Sequence, residues 1–129
     1  ELDVAVNFSQ MLVEDSQFED NSFDIVTSYI LHHELPEDIS KKVVAEVNRI
    51  LRPGGVFFPI DFQTGAYKGA ESAWARYMQF KDHRWNEEVW RQEYGKFNFP
   101  QAMREAGFKV IEKGPPAWRS KYNLLAVKV

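Results

Sequence analysis

Cysteine is absent from the 129-residue sequence, which excludes disulfide scaffolds, thiol nucleophiles and cysteine-ligated zinc at once. An excess of one charge is missing too. The 16 Lys and Arg stand against 19 Asp and Glu, a net charge of -3, where a general nucleic-acid binder is distinctly basic. No apolar run approaches the ~18 residues of a membrane span and no signal-peptide pattern opens the chain, so the expected compartment is the cytosol. Low-complexity tracts, internal repeats and long linkers do not occur. The chain opens Glu1-Leu2-Asp3 without a methionine, so it is expected to be a processed product or part of a longer protein. What is present is an apolar complement of 44%, with 15% aromatic. That suits one domain over residues 1–129 with a small core.

Within that domain the apolar pattern changes period several times. Residues 4–8 alternate and predict a short strand. Asp20, Asn21 and Ser22 predict a turn, because their side chains replace backbone hydrogen-bond partners. Residues 23–31 are nearly continuously apolar and predict a strand covered on both faces, as in parallel sheets. Residues 37–52 carry the strongest helix signal. Ile39, Val43, Val44, Val47, Ile50 and Leu51 share a stripe, with Lys41, Lys42, Glu46 and Arg49 turned away. Glu37 and Asp38 at its start and Arg49 and Arg52 at its end match the helix dipole. Pro53-Gly54-Gly55 is expected to stop this helix as a cap rather than to cradle phosphate. Residues 56–62 predict a second buried strand, in which Pro59 removes a ladder donor and requires a bulge.

Strand, helix, turn and strand within about 40 residues is the arithmetic of one crossover between parallel strands, so the expected fold class is α/β. The second half differs. Residues 69–94 are polar and aromatic, with Trp74, Tyr77 and Phe80 at helical spacing. Residues 97–106 predict a shorter helix ending at Gly107, and residues 108–113 and 124–129 predict an antiparallel strand pair.

Three segments together carry a resemblance: residues 20–28, then Leu31-His32-His33-Glu34-Leu35-Pro36, then residues 49–55. In this order and spacing the chain resembles class I S-adenosylmethionine-dependent methyltransferases, and Glu105-Ala106-Gly107-Phe108 is similar to that family's turn into a late strand. The resemblance covers the C-terminal half of a Rossmann-like methyltransferase sheet, parallel strands plus an antiparallel C-terminal pair, with helices packed on it. It implies S-adenosylmethionine as cofactor and a small-molecule methyl acceptor. The family's Gly-x-Gly-x-Gly loop and its ribose-binding acidic residue have no counterpart in residues 1–129. By position, the resemblance places Leu12 and Val13 at the adenine, where the Val13 N–H could donate. Ser28, Tyr29 and Ile30 fall beside the cofactor at a strand end.

In open α/β sheets ligands sit beyond the carboxyl ends of the strands, here residues 28–33 and 61–65. His33 has the side-chain chemistry of a proton acceptor. The alternative is a structural or cofactor-lining histidine. His32-His33-Glu34 lacks the His-Glu-x-x-His spacing of a zinc site, so no metal is expected. Asp61 reads either as a substrate contact or as a carboxylate capping its loop; Asp24 reads as positional. Residues 66–100 read as a helical lid over the acceptor, with Trp74, Tyr77 and Trp85 as walls and Arg84 for an acidic group, against ordinary helix packing. Two functional classes follow. One is methyl transfer in the complete protein; the other is a non-catalytic domain for assembly or ligand binding. The apolar edge at residues 23–31 further predicts a homodimer.

Overall fold

The computed structural model describes residues 4–61, 73–85, 89–111 and 124–129. A strand β1 (Phe23–Tyr29) leads through a single 3-10 turn (His32–Glu34) into helix α1 (Glu37–Ile50), which returns to strand β2 (Leu51–Ile60). β1 and β2 pair in parallel from Ile25↔Val56 to Tyr29↔Ile60. Helices α2 (Ala73–Trp85), α3 (Arg91–Lys96) and α4 (Phe99–Glu105) precede strands β3 (Phe108–Val110) and β4 (Ala126–Lys128). The sheet order is β1-β2-β4-β3, with β4 antiparallel to both its neighbours. This is the expected α/β architecture with its antiparallel C-terminal pair.

The apolar stripe of α1 decides which face of the sheet is covered. Val43, Val44 and Val47 bury against Leu51 and Phe57 of β2, and Phe99 and Met103 of α4 close the same core with Phe108 and Ala126. Along β2 the exposures alternate, with Phe57 and Pro59 buried and Val56, Phe58 and Ile60 half-buried, as a two-residue period requires. The expectation that β1 is covered on both faces does not hold: Ile25 is 67% and Tyr29 70% exposed.

The C-terminus of α1 shows how the crossover is fastened. The last carbonyls of a helix lack partners within it. Here Arg49 and Ile50 carbonyls accept from the N–H groups of Asn21 and Ser22, at 3.0 and 2.8 Å. The Lys128 Nζ donates to the carbonyls of Asn48 and Leu51, at 2.7 and 2.8 Å, and a cation there also suits the dipole. The turn at Asp20 and Asn21, with Asn21 at φ 55, thus ties β1 to the helix end. Asp24 is positional as expected, paired with Arg52 at 2.6 Å.

Three local expectations need correction. Residues 4–8 form no strand, and Phe8 is 92% exposed; alternation alone gives no ladder partner. The α1 helix ends at Ile50, and Pro53-Gly54-Gly55 lie inside β2 rather than at a helix cap. There the register jumps from Phe23↔Leu51 to Ile25↔Val56, so the intervening residues bulge outward. Gly54 sits at φ 81, and a Cβ on Gly55 would lie 2.8 Å from the Arg52 carbonyl oxygen. The bulge predicted at Pro59 is therefore upstream; Pro59 pairs in register with Ser28. Its carbonyl still accepts from the Leu124 N–H at 3.3 Å, just past the last β2–β4 pair at Phe57↔Ala126. The helix expected over residues 97–106 is present as α4, within two residues at its start, where the Asn98 Oδ1 accepts from the Gln101 N–H at 3.1 Å and caps it.

Candidate functional site

The ends of β1 and β2 meet at Asp61. The chain leaves β1 through Ile30, whose N–H donates to the Ile60 carbonyl at 2.7 Å. Three successive N–H groups then converge on one carboxylate oxygen: Asp61 Oδ2 accepts from Leu31 at 3.1 Å, His32 at 2.7 Å and His33 at 3.4 Å. Asp61 Oδ1 lies 2.7 Å from His33 Nδ1. The carboxylate is buried but fully surrounded by donors, which is what makes a buried charge tolerable.

His33 faces two acids. Its Nε2 lies 3.1 Å from Glu34 Oε1, and the side chains of His33 and Glu34 are 3% and 50% exposed. The helix α3 packs on the 3-10 turn and brings the Tyr94 ring to 6.4 Å from that of His33. Burial first, and the Asp61 charge second, push the Tyr94 hydroxyl above its ordinary range. Chemically this is an imidazole oriented by a buried carboxylate, with its second nitrogen turned toward a partly exposed acid.

The neighbouring His32 is a core residue. It is completely buried, 4.5 Å from the Phe99 ring and 6.3 Å from that of Phe57. Its Nδ1 lies 3.2 Å from the Ser40 Oγ. Ser40 Oγ also lies within hydrogen-bond distance of the His32 carbonyl, at 3.4 Å. The Nε2 has no partner among the described residues. Desolvation lowers this imidazole to about 4, against an opposing pull from Asp61 and a small push from His33. His32 is therefore neutral at physiological pH.

Of the other predicted site residues, Ser28 is half-buried, and Tyr29 and Ile30 lie exposed at the rim of the strand ends. Leu12 and Val13 are exposed and open a turn in which the Asp15 N–H reaches the Leu12 carbonyl. That segment is anchored to α1, since the Ser16 N–H and Oγ both donate to Glu46 Oε1. Trp74, Tyr77, Arg84 and Trp85 lie on α2, all exposed. The Trp74 and Tyr77 rings are 5.6 Å apart, and the Arg84 guanidinium lies 5.6 Å from the Trp85 ring centroid. Much of the remaining lid expectation, residues 66–72 and 86–88, falls outside the described residues. Glu34 and Tyr94 were not anticipated as neighbours of His33. Adjacency in sequence could have suggested Glu34, whereas nothing in the aromatic spacing singles out Tyr94.

Residues 1–58 match the family profile described as a methyltransferase domain. Among curated proteins none matches the sequence. Solved structures share the fold. A candidate methyltransferase from Bacillus halodurans C-125 is 18% identical at TM-score 0.63, covering 95% of this chain and 74% of that one. A SAM-dependent methyltransferase from Thermotoga maritima is 17% identical at TM-score 0.61, covering 91% and 61%. Geranyl diphosphate C-methyltransferase from Streptomyces coelicolor A3(2) is 15% identical at TM-score 0.59, covering 91% and 49%. The chain thus spans 61% of the Thermotoga protein and 49% of the Streptomyces one. At such identities the likeness is one of fold.

Proposed function

We propose, from the premise that this chain carries the class I S-adenosylmethionine-dependent methyltransferase fold, that its domain transfers a methyl group from that donor to a small molecule. The observation that carries the reading is a coincidence. The stretch matching the methyltransferase profile contains β1 and the turn that Asp61 gathers at the strand ends, where α/β sheets bind ligands. The rim there is apolar and exposed, with Tyr29 and Ile30 outward and Ser28 half-buried, which fits a nucleoside carrying a sulfonium. Ser28, Tyr29 and Ile30 would line the donor, with Leu12 and Val13 on its adenine side.

When bound, S-adenosylmethionine supplies a methyl group already activated on a sulfonium. The residues of this chain have the remaining tasks: orienting the acceptor, excluding water and holding its proton. Asp61 keeps the His33 imidazole oriented through Nδ1, and the acceptor reaches Nε2 by displacing the exposed Glu34 carboxylate. Trp74, Tyr77 and Trp85 would wall the acceptor, with Arg84 for an acidic group on it. The open edge of β1, outermost in the sheet, would pair with a second copy. A competing reading, a non-catalytic domain, draws on the engagement of both His33 ring nitrogens.

Calorimetric titration of the full chain with S-adenosylmethionine tests the proposal. One saturable site is expected, and no heat at ~1 mM donor, the limit of about -4 kcal/mol affinity, would end it. Binding without turnover that His33→Asn leaves unchanged would favour the non-catalytic domain.

A further inference from the structure

Ile30 has a backbone that its side chain disfavours. Its φ is 49, and the only other non-glycine residue with positive φ among those described is Asn21. Asparagine visits the left-handed region readily, whereas a β-branched residue there is an outlier held in place by its surroundings. The surroundings are specific. The Ile30 N–H is bound to the Ile60 carbonyl at 2.7 Å, and the next three N–H groups all end on Asp61 Oδ2. The same carboxylate grips His33 through Oδ1. Four backbone donors from four consecutive positions, beginning at the strained residue, thus depend on two adjacent residues at the end of β2.

We infer that Asp61 is a positioning residue: its carboxylate holds Ile30 in the left-handed conformation and so presets the rim of the donor site before any ligand arrives. The inference rests on the donor-binding reading above. It assigns Asp61 to the turn rather than to the substrate. A carboxylate that accepts from three backbone N–H groups and a ring nitrogen acts on the ligand through the shape of residues 30–33. An asparagine at position 61 keeps one acceptor oxygen, so it can serve the turn only by turning its NH2 toward the His33 ring, which must then accept at Nδ1.

The test is a double-mutant cycle in the full chain, with Asp61→Asn made in Ile30→Ala and in Ile30→Gly backgrounds. Alanine removes the isoleucine side chain but keeps the Cβ that disfavours positive φ; glycine removes both. Donor affinity by calorimetry and thermal midpoints are read for all four proteins and for the wild-type chain. Asp61→Asn is expected to weaken donor binding about tenfold in the alanine background and less than about threefold in the glycine background. Ile30→Gly should also melt on the order of 4 °C above Ile30→Ala when Asp61 is present. Equal losses in both backgrounds would overturn the inference and assign Asp61 to direct contact. A glycine variant no more stable than the alanine variant would overturn it as well. If the wild-type chain binds no donor, the functional reading fails, while the two midpoints still decide whether Ile30 is strained and held.

Discussion

Lowering the pH should destabilise the fold through His32 specifically, and the sign follows from its burial. The ring is neutral in the core, with Nδ1 beside the Ser40 hydroxyl and Nε2 without a partner among the described residues. Protonation would place a cationic N–H there without an acceptor, and desolvation accordingly lowers the group from 6.5 to about 4. In the unfolded chain the imidazole takes up a proton from about pH 6.5 downward, while the folded chain resists until about pH 4. Stability from this residue is therefore complete above about pH 6.5, declines between about 6.5 and 4, and is flat below. The interval corresponds to about 3 kcal/mol, a large part of the total stability of a small domain. Urea unfolding of wild type and His32→Gln between about pH 7.5 and 4.5 measures it, since the other titrating groups are common to both. Wild type should lose about 2–3 kcal/mol more than the variant over that range. Parallel pH dependences would refute the argument, as would ring nitrogen resonances showing a protonated His32 in the folded chain near pH 6.

Two further outcomes follow from the fold. Lys128→Met should cost about 1–2 kcal/mol in urea unfolding, because it strips the Asn48 and Leu51 carbonyls of a charged donor; unchanged stability would mean water replaces it. Sedimentation velocity should show a concentration-dependent dimer that Ile25→Lys, a charge on the open strand edge, returns to monomer. A wild-type monomer at every concentration would remove the edge-pairing proposal.

How much of this was readable in advance depends on the range over which each feature is determined. The α1 stripe is local, every contact-bearing residue lying within four positions of the next, and the helix came out within two residues of expectation. Residues 4–8 alternate as a half-buried strand does, but a strand is a relation between two segments, and theirs has no partner among the described residues. Pro53-Gly54-Gly55 shows the opposite difficulty. A helix stop and a bulged strand start require the same left-handed glycine, so composition alone cannot assign it to one side of Leu51. The α4 helix was legible to within two residues, and Asn98 followed by Pro100, an N-cap with a proline in the first turn, sets where it starts.

The site was less legible than the fold for a geometric reason. His33 and Asp61 are 28 positions apart and come together only because β1 and β2 are parallel, in register, and end level at Tyr29↔Ile60. Sequence reading can infer the parallel pair, and hence that both residues lie at the same end of the sheet. It cannot infer which atom of Asp61 meets which donor. Both Asp61 readings, substrate contact and loop cap, place a carboxylate after a buried strand. They diverge only once the chain turns left-handed at Ile30 and aims three N–H groups inward. A similar ambiguity separates the two histidines. Adjacent residues in a strand would point to opposite faces, which predicts one in the core and one in solvent. The 3-10 turn that Asp61 gathers buries both, one against Phe99 and Ser40 and the other between two carboxylates. The chemistry available to His33 is therefore set by a backbone conformation that no side-chain pattern announces.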